Sequence, residues 1–315
     1  MVIYGISFAR CHSDHSAFVR HTKSDPVILT VYVDILLTGS DFVALAEEYL
    51  KHHFMTKDMR KPKKFLGIEV AYQKHRLLLS QRKYALDLLE GSGLLGCKHA
   101  STPMKANMDL WCDGNHPLED PGQYRRLIKK LIYLTITRLD ITFVVRVLSK
   151  FMQQLREVHW TTNLRIIIYV KSSPGKDFMY KKHEHVRIFG YSDSGYVGDK
   201  GDKQSNTRYC TIIGKNLVTW RRKKQDDVSR SSVEAEYRVM AYITCEMIWL
   251  KNLLLELGFK RPGYMLVFCD NQSAIYIAHN HVFHERTKHI EVNSHLIRDV
   301  LTKKVASLPF TPSSK

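Results

Sequence analysis

Three rhythms of hydrophobic and polar positions follow one another along the chain. Residues 27–37, VILTVYVDILL, are a nearly unbroken apolar and β-branched run ending at Thr38-Gly39, which predicts a buried strand closing into a turn. Phe42, Leu45, Ala46, Tyr49 and Leu50 then recur at three- and four-residue steps, the spacing of one helix face, with Ser40 and Asp41 placed to cap it. KFLGIEVAYQKHRLLLSQ reads as a β-hairpin around Gln73 to His75, and RKYALDLLEGSG returns to helical spacing until Gly91 stops it.

Between Cys97 and Gly122 periodicity gives way to Pro, Gly, Asn and Asp, the signature of a linker. Three helical segments follow, the last ending near Ser173-Pro174-Gly175. The final third predicts a strand in HVRIFGYSD, a hairpin in RYCTIIGKNLVTWRRK turning at Gly214-Lys215-Asn216, and a long helix from Ser232 to Leu257 stopped by Gly258. A further strand, MLVFCD, and helical segments around NQSAIYIAHN and HIEVNSHLIRDVL complete it. Strands first, then alternating helix and strand, describe a mixed α/β domain with one central sheet.

With 315 residues, 44% of them hydrophobic, the chain has material for two domains with sizeable cores. Lys plus Arg outnumber Asp plus Glu by 48 to 31, giving a formal charge of +17, so a polyanionic partner is the first expectation, although a merely soluble basic protein would satisfy charge alone. Six cysteines without a close pair argue against a zinc knuckle and a disulfide scaffold. No secretory layout opens the chain and no apolar run is long enough to span a bilayer, so the expectation is an intracellular chain, cytoplasmic or nuclear, with no membrane partner. His279, His281, His284, His289 and His295 lack a cysteine partner and the helical pair spacing of a zinc site, and read as surface or phosphate contacts.

Three acids of the last domain stand where chemistry can use them. Asp193 follows an apolar strand, Asp270 ends another, and Glu236 shares a helix face with Val233 and Met240 that should turn toward the sheet. A cluster of this kind repels itself unless cations sit inside it, which points to Mg2+ or Mn2+. Each acid also has an ordinary reading: Asp193 as a turn former beside Ser192 and Ser194, Asp270 as a helix cap before Asn271, Glu236 as part of a solvated face. The basic run Arg221, Arg222, Lys223, Lys224 serves either as a solvated edge that blocks strand pairing or as a grip on the phosphates of nucleic acid laid across the site. At the other end, VYVDILLTGSD delivers a single acid, Asp34, where two-metal nucleotide chemistry wants two.

The ordered segments CHSDHSAFVRHT, VYVDILLTGSD, KFLGIEV, LLLSQRKYALDLL, GLLGCKHASTPM, LIYLTITRLDI, GYSDSGYVGD, RSSVEAEYR, CDNQSAIYIA and FHERTKHIEV resemble the Pol polyprotein of copia-type LTR retrotransposons, particularly plant elements, over nearly the whole chain. The resemblance implies a partial reverse transcriptase palm and thumb in residues 1–110, a linker and helical connection in 111–180, and a C-terminally truncated ribonuclease H-like mixed-sheet domain in 181–315. Family members are similar to Tyr-Val-Asp-Asp where this chain has Tyr32-Val33-Asp34-Ile35, and their first acidic strand and fingers lie upstream, so polymerase activity is expected to be lost. Asp193 matches the family's first-strand Asp, Glu236 the Glu of its Ala-Glu-Tyr helix, with Glu234 as second choice, and Asp270 the Asp of its Cys-Asp-Asn-Gln. The family's fourth acid belongs to a helix beyond PFTPSS, leaving Glu291 as the nearby substitute. Leu139 and His281 replace family prolines and Lys129 a glycine. The implied function is two-metal hydrolysis of RNA in an RNA·DNA hybrid, with other Pol-derived chains as further partners. Its rivals are a catalytically dead nucleic-acid-binding remnant and an intact polymerase.

Overall fold

The computed structural model describes residues 2–23, 25–32, 34–39, 42–54, 63–106, 108, 110–111, 116–195, 205–225, 228–229, 231–259, 263–280 and 291–312. The chain packs as two compact units, residues 1–58 with 182–315, and residues 59–181.

The first unit begins with an antiparallel sheet in the order β1-β2-β3-β4, built from β1 (Ala9–Arg10), β2 (Ala17–Arg20), β3 (Val27–Val31) and β4 (Ile35–Thr38). The apolar run expected as one strand is thus two, folded back with Val31 opposite Ile35 and Leu29 opposite Leu37. Periodicity alone does not separate one long strand from two short ones, and pairing the halves satisfies their backbone groups. Asp34 consequently lies in an exposed hairpin loop rather than at the end of a buried strand. Helix α1 (Val43–His53) lays Ala46 and Leu50 on Phe18, Val27 and Leu29. Its N-cap position is Phe42, whereas the expected caps Ser40 and Asp41 lie outside the described residues.

The second unit holds a sheet of β5 (Lys64–Phe65), β6 (Ile68–Gln73) and β7 (Arg76–Ser80), to which β8 (Phe178–Lys181) adds beside β7. Helix α2 (Arg82–Gly91) runs through Gly91 and stops because Gly93, at φ 66°, takes the left-handed conformation while Leu94 N–H bonds back to Leu89. Among the described residues of the 97–120 stretch there is no helix or strand beyond an isolated bridge from Pro117 to Arg156. Helices α3 (Pro121–Leu134), α4 (Leu139–Ser149) and α5 (Glu157–Val170) then pack around Tyr124, Ile128, Leu131, Ile141, Leu148 and Ile166. Pro121 and the Asp120 carboxylate, which accepts from Gln123 N–H, start α3. Leu139 is the first residue of α4, a position that also suits proline.

One ionic cluster lies at the start of α4. Arg138, 1% exposed, donates to both Asp140 oxygens at 3.0 and 2.9 Å and to the Ser173 carbonyl at 2.8 Å, and the Tyr169 hydroxyl also donates to Asp140. Burial pushes the Asp140 carboxyl up, but the hydrogen bonds and charge of Arg138 outweigh it and leave it at about 2.

The C-terminal part of the first unit comprises β9 (Ile188–Gly195), β10 (Asn206–Ile213), β11 (Asn216–Lys224), α6 (Ser232–Glu256), β12 (Met265–Cys269), α7 (Gln272–His279), α8 (Glu291–Thr302) and β13 (Ala306–Ser307). Its sheet has the order β11-β10-β9-β12-β13, antiparallel among the first three strands and parallel from β9 through β12 to β13. This is the mixed α/β sheet expected from the sequence. Helix α6 packs on it through Tyr237, Met240, Ile243 and Met247. The far end of α6 holds the N-terminal ribbon: Glu256 accepts from His12 N–H at 2.7 Å and Ser13 hydroxyl at 2.7 Å, and Trp249 Nε1 donates to the Ser13 carbonyl. No helix among the described residues is long and apolar enough to cross a membrane.

Replacing Arg138 by Ala takes from the half-buried Asp140 its main partner, leaving Tyr169 and Lys176, and is expected to cost about 1–3 kcal/mol in urea denaturation. Because the folded Asp140 lies near 2 against an ordinary 3.8, its contribution is complete above the latter value and is lost as pH falls through about 2. The stability gap between wild type and Asp140→Asn should close over that interval.

Candidate metal and nucleic-acid site

Parallel pairing of β9 with β12 sets Ser192 beside Cys269, so the next residues, Asp193 and Asp270, stand side by side at the same end of neighbouring strands. Helix α6 supplies the third acid. Its N-terminus is fixed by Ser231, whose side chain accepts from Glu234 N–H, and one turn later Glu236 faces the sheet with Met240, only 5% exposed. Glu236 Oε1 accepts from Ser194 N–H at 2.7 Å, while Oε2 is buried with no hydrogen-bond partner.

Among the described residues, donor atoms of Glu236, Cys269 and Asp270 lie within 4.8 Å of one another. Burial pushes the Glu236 carboxyl up, the Ser194 hydrogen bonds oppose this, and the charges of Asp270 and Asp193 add to the rise. The Cys269 thiol is pushed up to about 11, chiefly by burial, so it is protonated at neutral pH in the cation-free protein, and its soft sulfur is a poor match for a hard, oxygen-seeking cation. Asp193 stands outside this group of three. Its Oδ2 accepts from Arg208 Nη1 at 2.9 Å, across the β9–β10 pairing that sets Arg208 directly opposite it.

The other expected residues are placed as follows. Glu234 is buried and ion-paired to Arg238 at 2.9 Å. Glu291 opens α8, but its side chain, like His281, His284 and His289, lies outside the described residues. The two described histidines of that stretch, His279 and His295, are exposed. Arg221, Arg222, Lys223 and Lys224 end the edge strand β11, with Arg222 directly opposite Arg208. Sequence reading overlooked Arg208, because nothing short of strand register links it to an acid 15 residues away.

This donor set fits a divalent cation. A buried carboxylate oxygen lacks any partner, and a second carboxylate beside it raises the cost of ionisation, both of which an oxygen-seeking ion would relieve.

Comparison with known proteins gives the following. The reverse transcriptase (RNA-dependent DNA polymerase) family profile matches residues 1–106. The retrovirus-related Pol polyprotein from transposon RE1 of Arabidopsis thaliana is 39% identical over 297 residues, which is 93% of this chain and 20% of that protein. The chain therefore spans about a fifth of the length of that relative. An uncharacterized mitochondrial protein of Arabidopsis thaliana is 34% identical over 225 residues, 70% of this chain and 93% of its own. Among solved structures, RNase H1 from the halophilic archaeon Halobacterium salinarum NRC-1 aligns with 41% of this chain and 87% of its own at 14% identity and a TM-score of 0.29.

Because the folded Glu236 carboxyl titrates above its ordinary 4.5, the metal-free native state loses stability as pH rises through that range. Glu236→Gln should abolish this loss, leaving the variant the more stable chain at neutral pH and level with wild type in acid. Millimolar Mg2+ should raise the melting temperature of wild type and leave that of the variant unchanged.

Proposed function

The chain belongs to the Pol polyproteins of copia-type LTR retrotransposons, and from that membership we propose that its C-terminal sheet is a divalent-metal ribonuclease that cuts the RNA strand of an RNA·DNA hybrid. The observation that carries this reading is Glu236, a carboxylate 5% exposed, with one oxygen unpartnered, facing Asp270 at the end of a parallel strand pair.

Glu236 and Asp270 would hold Mg2+ or Mn2+, with Asp193 as the third carboxylate on the adjoining strand. Divalent cations bound there supply charge neutralisation for a water nucleophile and for the departing oxygen. The protein's own share is positional. Strand β9 and helix α6 fix Glu236 through the Ser194 N–H, so that one of its oxygens is immobilised and the other is left for the ion. Arg221, Arg222, Lys223 and Lys224 line the sheet edge and grip phosphates of the hybrid, a contact that orients the nucleic acid without reading its sequence. Selection of a hybrid rests on groove shape and 2′-hydroxyls.

Reverse transcription is proposed to be lost. Asp34 lies in an exposed hairpin loop, followed directly by Ile35, so the turn offers one carboxylate where phosphoryl transfer by two metals needs more negative charge.

Purified full chain incubated with a labelled hybrid and Mg2+ should release RNA fragments, and chelation should stop it. Asp270→Asn or Glu236→Gln should lower the rate by at least about 100-fold, in keeping with loss of a charged group that acts on the transition state. Cleavage that survives both substitutions would refute the assignment. Primer extension on an RNA template should give no product.

A further inference from the structure

A cation already stands on one of the three carboxylates. Arg208 reaches Asp193 Oδ2 at 2.9 Å, and its Nε is buried without a hydrogen-bond partner. The guanidinium fits there because Gly195 is bare: a Cβ at that position would fall 2.7 Å from Nη2. Directly opposite Arg208 on its other side is Arg222, so register aligns Asp193, Arg208 and Arg222 across three strands on one sheet face. Like charges opposite one another are unfavourable, which biases Arg208 toward the acid.

We propose that Arg208 is a positioning residue that occupies Asp193 in the cation-free protein and competes with the divalent ion for that carboxylate. The inference rests on the ribonuclease reading above and adds to it a chain-specific brake: the ion concentration at which the site fills is set by how readily Arg208 lets go. The ion pair is half exposed on both sides, 41% and 49%, so solvent screens it and its influence is moderate. Removing it also removes a positive charge close to the incoming ion, which acts in the same direction.

The test is Mn2+ binding to the full chain, followed by loss of the free-ion electron paramagnetic resonance signal at low ionic strength. Arg208→Ser should bind Mn2+ about two- to five-fold more tightly than wild type, the range expected for a screened pair. Arg208→Lys should stay near wild type. Gly195→Ala, which crowds the guanidinium and keeps the charge, should move affinity in the same direction as Arg208→Ser and guards against a folding defect in the latter. On an Asp193→Asn background the gain from Arg208→Ser should shrink to the small remaining charge effect. Unchanged or weaker Mn2+ binding by Arg208→Ser, with binding still abolished by Asp270→Asn, overturns the role of Arg208 and leaves the ribonuclease reading standing. Absence of Mn2+ binding in every variant overturns both.

Discussion

Helix α6 touches the central strand β9 at a residue without a side chain. A Cβ on Gly190 would fall 2.5 Å from Met247 Sδ and 2.6 Å from Ile243 Cδ1, so the close approach of helix to sheet depends on glycine there. That approach is what brings the first turns of α6 down to the strand end, where Glu236 meets the Ser194 amide. Burying a carboxylate so fully costs several kcal/mol unless an ion or hydrogen bonds compensate. The core beneath it, with Val239, Met240, Ile243, Met265 and Val267 all 0% exposed, supplies the packing that tolerates the cost.

Charge is distributed to match. The chain carries a net +17, yet Glu236, Asp270 and Asp193 gather at one end of one sheet while a basic row occupies the neighbouring edge. The two readings of that row are compatible, since cations on an edge strand both discourage pairing with another sheet and attract a polyanion. Arg208 sits between them, on the strand that separates the edge from Asp193. Positive and negative groups therefore meet at the end of this sheet, with Arg208 paired to Asp193 beside the cluster of Glu236 and Asp270.

Elements whose spacing repeats over many residues were legible: the 25-residue α6, the β10–β11 hairpin with its Gly214 turn, and the burial of Glu236 implied by its company with Met240. Short or ambiguous ones were not. Strand β13 is two residues long, β8 gains its identity only by pairing with β7, and the apolar run at 27–37 folds on itself because nothing in its pattern distinguishes a bend from continuity. The places of Asp193 and Asp270 at the ends of neighbouring strands, and of Glu236 on the sheet-facing side of α6, were readable. The grip of Arg208 on Asp193 was not, because it follows from cross-strand register, which sets opposite each other two residues 15 positions apart.

The bonds between Glu256 and Ser13 join residues 243 apart in sequence. A ribosome adding about 5–20 residues per second reaches that glutamate roughly 12–50 s after the serine has been made. Throughout that delay Cys11, Ala17 and Val19, which in the finished protein pack with Leu257, lack their cover and offer a sticky strand edge to any nascent neighbour.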